Sequence, residues 1–112
     1  MKEQIIKQLL KKKKIMAKGY WVACVNVKNK EKFQKYVELA GPAINLYGGR
    51  FLVRGNKVNN IEGKKYERIV VSVFASPEKA NECYNSKEYQ HAKSFLNDEI
   101  ADRIIHIVEG LD

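Results

Sequence analysis

Strand-forming and helix-forming segments alternate along this chain in an order that only a few folds accommodate. Segments rich in β-branched and aromatic residues predict four strands, over residues 19–27, 50–54, 66–75 and 102–109. One helical segment separates the first strand from the second, and another separates the third from the fourth. With right-handed crossovers, this βαββαβ order predicts a ferredoxin-like α+β fold, in which a four-stranded antiparallel sheet carries both helices on one face.

Both helical segments begin at residues that favour a helix N-terminus. Asn29 is expected to cap the first helix, in which apolar side chains recur at three- and four-residue steps. We expect Gly41-Pro42 to break or kink this helix. Ser76 is expected to cap the second helix, and Ser86 is expected to begin a further helical piece over residues 87–96.

The positive charge of the chain is concentrated at its N-terminus. The net charge is +8, and residues 1–15 contain six lysines and one glutamate, so the remainder of the chain is only mildly basic. Three interpretations of this extension are open: a short basic amphipathic helix on an anionic surface, a disordered tail, or a translated ribosome-binding site before a true start at Met16. We favour the last two and expect a single domain over residues 16–112.

Side chains alternate between the two faces of each predicted strand. One face is nearly all apolar and is expected to lie under the helices. The other, open face mixes apolar side chains with polar ones, which are Tyr20, Asn26, Arg50, Arg54, Arg68, Ser72 and His106. Because an unpaired buried charge is very costly and the apolar side chains avoid water, we expect a second copy of the sheet to cover this face. The chain is therefore predicted to form a homodimer through the open sheet face, with a partly polar lumen that binds a small molecule.

RNA binding is the less favoured use of this face. RNA-recognition modules share the βαββαβ order and stack bases on aromatic side chains of the open sheet. The strand over residues 66–75 offers only Phe74 in the polar set, which is too few. The chain also lacks the run of about 20 apolar residues that a membrane span needs. We therefore expect neither a nucleic-acid partner nor a membrane partner.

Several stretches of the chain resemble one family of small proteins. Residues 16–27, 36–56, 74–93 and 107–112 carry the resemblance, and its most specific pieces are YGGRFLVRG and CYNSKEYQ. They are similar to the DUF1330 family of the dimeric α+β barrel superfamily. The resemblance implies a ferredoxin-like fold and a homodimer, but the family has no established function. Related dimeric barrels include cofactor-independent monooxygenases, isomerases, haem-degrading enzymes and sensor domains, so the resemblance leaves open whether this chain is an enzyme.

The expected lumen site combines groups that suit an acidic or phenolic molecule. The planar guanidinium groups of Arg50 and Arg54 match a carboxylate, and His106 is the candidate catalytic acid or base. The other expected ligand-binding residues are Tyr20, Asn26, Tyr47, Ser72 and Tyr84. The structural alternative is an ion pair, of Arg50 with Glu62 or Glu67 and of Arg54 with Glu62 across the interface.

The sequence contains no recognisable motif for a metal, a nucleotide cofactor or a covalent nucleophile. Cys24 and Cys83 have no partner motif and fit a reducing compartment. We therefore expect a small cytoplasmic protein, without metal or cofactor, that binds a small acidic or phenolic molecule and could transform it by acid–base chemistry. The alternative is a non-catalytic sensor or structural dimer, in which the polar groups of the lumen only satisfy one another.

Overall fold

The computed structural model describes residues 2–6 and 17–112, and this part of the chain contains one antiparallel sheet. Its strands are β1 (Gly19–Val27), β2 (Arg50–Gly55), β3 (Arg68–Phe74) and β4 (Ala101–Glu109), in the order β2-β3-β1-β4. The helices that follow β1 and β3 are α1 (Lys30–Leu46), α2 (Pro77–Tyr84) and α3 (Lys87–Lys93). The predicted ferredoxin-like α+β fold is confirmed.

The lysine-rich extension is described only over residues 2–6, which form a short exposed helical segment. The rest of the extension lies outside the described residues, and so does Met16. The three interpretations of the extension and the start of the domain at residue 16 therefore stay predictions.

The predicted helix starts are confirmed by their capping hydrogen bonds. The side-chain oxygens of Asn29, Ser76 and Ser86 each accept a hydrogen bond from the backbone N–H three residues later, at distances of 3.0 to 3.1 Å. Each of these bonds satisfies a backbone donor that the first turn of a helix leaves free.

Of the break or kink expected at Gly41-Pro42, the break is wrong, because α1 runs without interruption to Leu46. A proline inside a helix removes one backbone hydrogen bond and costs about 3 kcal/mol. Burial on both sides of Pro42 offsets this cost, since Ala40 and Ile44 are both in the core while Pro42 itself is exposed.

The helices cover the face of the sheet that carries Trp21. The Trp21 ring packs on Phe74 and Tyr89, with ring centroids 5.2 and 4.9 Å away, and its Nε1 donates to the Ala80 carbonyl at 3.0 Å. Ile44, near the end of α1, belongs to the same core cluster as Trp21. Near the start of α1, the helix joins a second cluster around the opposite end of β1. The helix therefore runs back along β1, in the reverse direction.

The pairing of β3 with β1 decides which side chains of β3 lie under the helices. Ser72 is opposite Trp21, and Arg68 is opposite Val25, so both lie on the helix-covered face. The prediction that placed Arg68 and Ser72 on the open face is wrong. Both alternating sets of β3 contain apolar side chains, so hydrophobicity alone could not choose between them. Phe74 belongs to the same alternating set of β3 as Ser72, and it is buried, which agrees with this set lying under the helices.

A β-bulge in β2 moves Arg54 to the same covered face. The register between β2 and β3 shifts between Phe51 and Val53, so Phe51 is opposite Ser72 and Arg54 is opposite Val70. A regular strand would place Phe51 and Arg54 on opposite faces, but the extra residue of a bulge reverses the alternation beyond it. The prediction that Arg54 faces the open side of the sheet is therefore wrong.

The connection between β2 and β3 is an irregular arm over residues 56–67, and Asn26 fixes its end. The Asn26 Nδ2 atom donates to the Lys65 carbonyl at 3.0 Å, and Asn26 Oδ1 accepts from the Glu67 N–H at 2.8 Å. Lys64 also forms an ion pair with Asp102 of β4. The arm therefore returns to the sheet at a defined position.

Candidate ligand-binding site

A cavity of about 50 Å³ lies between α1 and the helix-covered face of the sheet. Its floor includes the small side chains of Ala23 and Val70, and its roof includes Ala40 and Gly41 of α1. Larger apolar side chains, Phe51 among them, close its sides. An apolar cavity with a few converging polar groups is the usual form of a small-molecule site.

Three of the four arginines of the chain, Arg54, Arg68 and Arg103, line this cavity. Across residues 2–6 and 17–112, no aspartate or glutamate lines the cavity, and the three ion pairs found there all involve lysines. Burial lowers the pKa of Arg68, and the neighbouring charge of Arg54 lowers it further. Arginine nevertheless stays protonated in proteins, so the cavity holds positive charge that no side chain of the described residues neutralises.

Arg103 is held in place by two tyrosine hydroxyl groups. Its Nη1 atom donates to Tyr36 at 3.1 Å and to Tyr89 at 3.0 Å, and the two hydroxyl oxygens are 2.7 Å apart. Tyr89 is fully buried, and this burial raises its pKa well above the ordinary value, so it stays a neutral phenol. The Arg103 guanidinium also lies 5.1 Å from the centre of the Tyr36 ring. These contacts orient the guanidinium and leave its charge uncompensated.

Ser72 lines the cavity and carries a buried hydroxyl group. The residue is 1% exposed, and its Oγ atom has no hydrogen-bond partner within the described ranges. A buried polar group without a partner costs about 1–3 kcal/mol. A hydroxyl in this position can bind a water molecule or a polar atom of a ligand.

The cavity opens beside Arg68 into a groove between α1 and the β2–β3 arm. Phe33, Val37 and Arg68 line both spaces, and the groove itself is larger, at about 390 Å³. Glu67 lines the groove but not the cavity. Arg68 is half-buried and lines both spaces, so it lies where the groove meets the cavity.

Comparison with known sequences places the chain in a family. The sequence profile of DUF1330, described as a domain of unknown function, matches residues 18–111. This chain belongs to the DUF1330 family. The match covers the whole sheet and the three helices α1, α2 and α3, and it confirms the resemblance seen in the sequence.

Solved structures share the fold of this DUF1330 protein at low sequence identity. A protein of unknown function from Rhodopseudomonas palustris has a TM-score of 0.69 and 14% identity, and the match covers 95% of this chain and 94% of that one. A Caulobacter crescentus protein, provisionally described as an antibiotic biosynthesis monooxygenase, has a TM-score of 0.61 and 11% identity, with coverage of 93% and 99%. A protein of unknown function from Bacteroides thetaiotaomicron has a TM-score of 0.52 and 12% identity, with coverage of 84% and 98%. At these identities the likeness shows the fold alone. None of the curated proteins matches the chain.

Of the eight site residues expected from the sequence, the DUF1330 structure brings only Arg54 and Ser72 together in the cavity. Two of the others are engaged elsewhere: the Tyr20 hydroxyl donates to Asp112 at 2.9 Å, and the Tyr47 hydroxyl donates to Glu88 at 3.0 Å. Asn26 holds the β2–β3 arm, as described above.

The last three expected residues also lie apart from the cavity. Arg50 and His106 are on the open face of the sheet, where they are opposite Val73 and Val22. Tyr84 packs its ring against Trp21, with centroids 6.0 Å apart. A shared lumen site that contains all eight side chains is therefore not what the fold assembles.

Arg103, Tyr36 and Tyr89 are members of the site that were not predicted from the sequence. One signal was present in the alternation of β4, because Arg103 falls in the same set as Ile105 and Ile107. An arginine among side chains that lie under helices needs hydrogen-bond partners or a bound ligand. The tyrosines gave no such signal, since both also fit an ordinary apolar helix face.

The described ranges, residues 2–6 and 17–112, contain no group of three His, Cys, Asp or Glu side chains that could hold a metal ion. Among the helices of those ranges, none is both long enough and apolar enough to cross a membrane.

Proposed function

We propose that this DUF1330 protein binds a small organic acid in the cavity between α1 and the sheet. The observation that carries the proposal is the set of three arginines that line a mostly apolar cavity, which no carboxylate of the described residues lines. Holding such charges together is unfavourable until an anion joins them. A carboxylate suits this role, because it accepts paired hydrogen bonds from a planar guanidinium.

The register of the sheet supports a defined position for the carboxylate. Arg68 and Arg103 lie on either side of Val25, one on each neighbouring strand. Two strand spacings put their backbones about 10 Å apart, which leaves room for an anion between the two guanidinium groups. Arg54 lies one row further along the sheet, opposite Val70. The apolar part of the acid would then rest on Ala23 and Val70.

The size of the cavity favours a compact aliphatic acid over a phenol. A cavity of about 50 Å³ holds roughly three to five water molecules, whereas benzene fills an engineered cavity of about 150 Å³. A substituent on the carbon next to the carboxylate would have room in the neighbouring groove. Of the acidic and phenolic ligands that the sequence suggested, the structure therefore supports the acid.

Tyr36 is the group best placed to exchange a proton with the bound acid. Its hydroxyl lies at the cavity wall and contacts both Arg103 and Tyr89. His106, the candidate from the sequence, lies on the other side of the sheet. If the protein transforms its ligand, the acid–base step passes through Tyr36. A sensor would use the same cavity for binding alone.

We also propose that two copies join through the open sheet face. Val53, Ile104 and Val108 are 49%, 42% and 52% exposed on this face. The corrected register makes the face more apolar than the sequence suggested, because Ile69 and Val71 replace Arg68 and Ser72 there. A contiguous apolar surface of this kind is typical of an interface, and a second copy of the same sheet is the simplest cover for it.

Calorimetric titration with butyrate and its neutral analogue butyramide tests the proposed site. The wild type should bind butyrate at least tenfold more tightly than butyramide. Arg68→Gln should weaken butyrate binding by about tenfold, since a charged hydrogen bond is worth roughly 1.5–3 kcal/mol. Arg50→Gln is the matched control, because Arg50 lies on the open face, and it should leave the affinity unchanged. Equal affinities for acid and amide, or a loss caused by Arg50→Gln alone, would contradict the proposal.

A further inference from the structure

The cavity has a charged end and an opposite end where Ser72 lies. Arg68 and Arg103 share a row with Val25, whereas Ser72 shares a row with Trp21. Val25 and Trp21 are four residues apart on β1, which corresponds to about 13 Å along the strand. The two ends of the cavity therefore present different chemistry: guanidinium groups at one end and one free hydroxyl at the other.

The Ser72 hydroxyl lies among apolar neighbours. Phe51 and Trp21 are opposite Ser72 on the two adjacent strands, and neither offers a polar atom to its Oγ. An alanine in this position would avoid the cost of burying an unpartnered hydroxyl. Ser72 lines the same cavity as the three arginines, and a rotation about its Cα–Cβ bond would turn the hydroxyl toward a molecule held at the arginine end.

We infer that the ligand is a hydroxy or oxo acid, whose second oxygen forms a hydrogen bond with Ser72 while its carboxylate binds the arginines. The inference rests on the proposed function and names the class of acid. Ser72 Oγ can donate to an oxo group or accept from a hydroxyl group, so both kinds of oxygen fit. A plain acid of the same length would leave Ser72 without a partner, and a site built in this way discriminates against the analogue that lacks the oxygen.

The roof of the cavity leaves space for the middle of such a chain. Gly41 is buried in α1, and a Cβ atom built on it meets nothing within 4 Å. In contrast, a Cβ atom on Gly49 would come within 2.6 Å of the Phe74 ring. Packing therefore requires glycine at position 49, whereas at position 41 glycine only preserves the open space of the cavity.

NMR titrations with a series of acids test the inference. Propionate, butyrate and pentanoate are compared with the acids that carry a terminal hydroxyl: 3-hydroxypropionate, 4-hydroxybutyrate and 5-hydroxypentanoate. One member of the hydroxylated series should bind about tenfold more tightly than its parent, and its length reports the separation of Ser72 from the arginines. In Ser72→Ala this preference should fall to about one. Ser94→Ala, outside the cavity, is the matched control and should keep the preference.

The outcomes separate this inference from the proposed function. If the acids bind but no hydroxylated member gains, or if Ser72→Ala keeps the preference, Ser72 contacts only water and the inference is overturned while the acid site stands. If none of the acids binds, the proposed function itself fails. The melting temperature of Ser72→Ala should be equal to or higher than that of the wild type, so a loss of preference could not be attributed to unfolding.

Discussion

The hydroxyl oxygens of Tyr36 and Tyr89 lie 2.7 Å apart, and the Nη1 atom of Arg103 donates to both of them. Tyr36 is on α1, Tyr89 is on α3 and Arg103 is on β4, so the contact joins three elements. An arginine in an ion pair has its charge neutralised where it sits. Here two tyrosine hydroxyl groups hold the guanidinium, and its charge remains available to a ligand in the cavity.

Removing one of these hydroxyl groups should affect both stability and binding. Tyr89→Phe deletes hydrogen bonds to Tyr36 and Arg103 in the core, and we expect the free energy of unfolding to fall by about 1–2 kcal/mol. Butyrate should bind several-fold more weakly, because Arg103 is less well oriented. Urea denaturation and calorimetry measure the two effects. The control is Tyr84→Phe, a ring that packs on Tyr89 with centroids 5.3 Å apart and lies outside the cavity. Equal effects of the two substitutions would show that the hydrogen bonds do not matter.

Replacing a cavity arginine by an apolar residue should stabilise the empty protein and weaken ligand binding. Arg68→Met removes a half-buried charge that lies close to Arg54, and it keeps a side chain of similar length. We expect the melting temperature without ligand to rise by a few degrees, which corresponds to roughly 0.5–1 kcal/mol. The affinity for butyrate should fall by about tenfold. A lower melting temperature with unchanged binding would identify Arg68 as a structural residue.

Filling the roof of the cavity should also stabilise the empty protein and weaken ligand binding, but through the packing of α1 rather than through charge. Gly41→Ala replaces a glycine inside α1, which favours the helix by about 0.5–1 kcal/mol. The added methyl group enters space that we assign to the ligand, so the affinity for butyrate should decrease. Gly49→Ala is the contrasting variant, because its Cβ atom would meet the Phe74 ring, and we expect it to lose about 1–3 kcal/mol of stability. A Gly41→Ala protein that is more stable and binds acids normally would place the ligand elsewhere.

A charge on the open face should separate the two copies of the proposed dimer. Ile104→Lys puts an ammonium group on the apolar surface, and we expect a monomer with an unchanged circular dichroism spectrum. Leu46→Lys is the matched control, since Leu46 is also an exposed apolar residue but lies at the end of α1. Analytical ultracentrifugation measures the mass of each variant. A wild type that is already monomeric would contradict the proposed interface.

The elements of the fold could be predicted from the sequence because each carries a local signal. The bounds of β1 agree with its run of β-branched and aromatic residues, and α2 ends at Tyr84, where Asn85-Ser86 was expected to restart the helix. The continuity of α1 could not be predicted in this way. It depends on core contacts before and after Pro42, which local sequence does not reveal.

The candidate site could be predicted only in part, because it depends on how strands pair. The sequence identified Arg54 and Ser72 as ligand-binding residues but placed both on the wrong face of the sheet. A bulge reverses the alternation at Arg54, and the β1–β3 register fixes the face of Ser72. The bulge leaves no distinct pattern in the sequence of β2. The register leaves none in β3, because both alternating sets of β3 contain apolar side chains.

The arginine side chains themselves give the most direct test of the cavity as an acid-binding site. The chain has four arginines, so NMR spectra of the Nε–Hε groups contain four signals, each assignable from one arginine-to-lysine variant. On titration with butyrate, the signals of Arg54, Arg68 and Arg103 should move together and saturate, while that of Arg50 stays in place. Signals that do not move, or a response of Arg50 alone, would show that the cavity beneath α1 is not where this protein binds an acid.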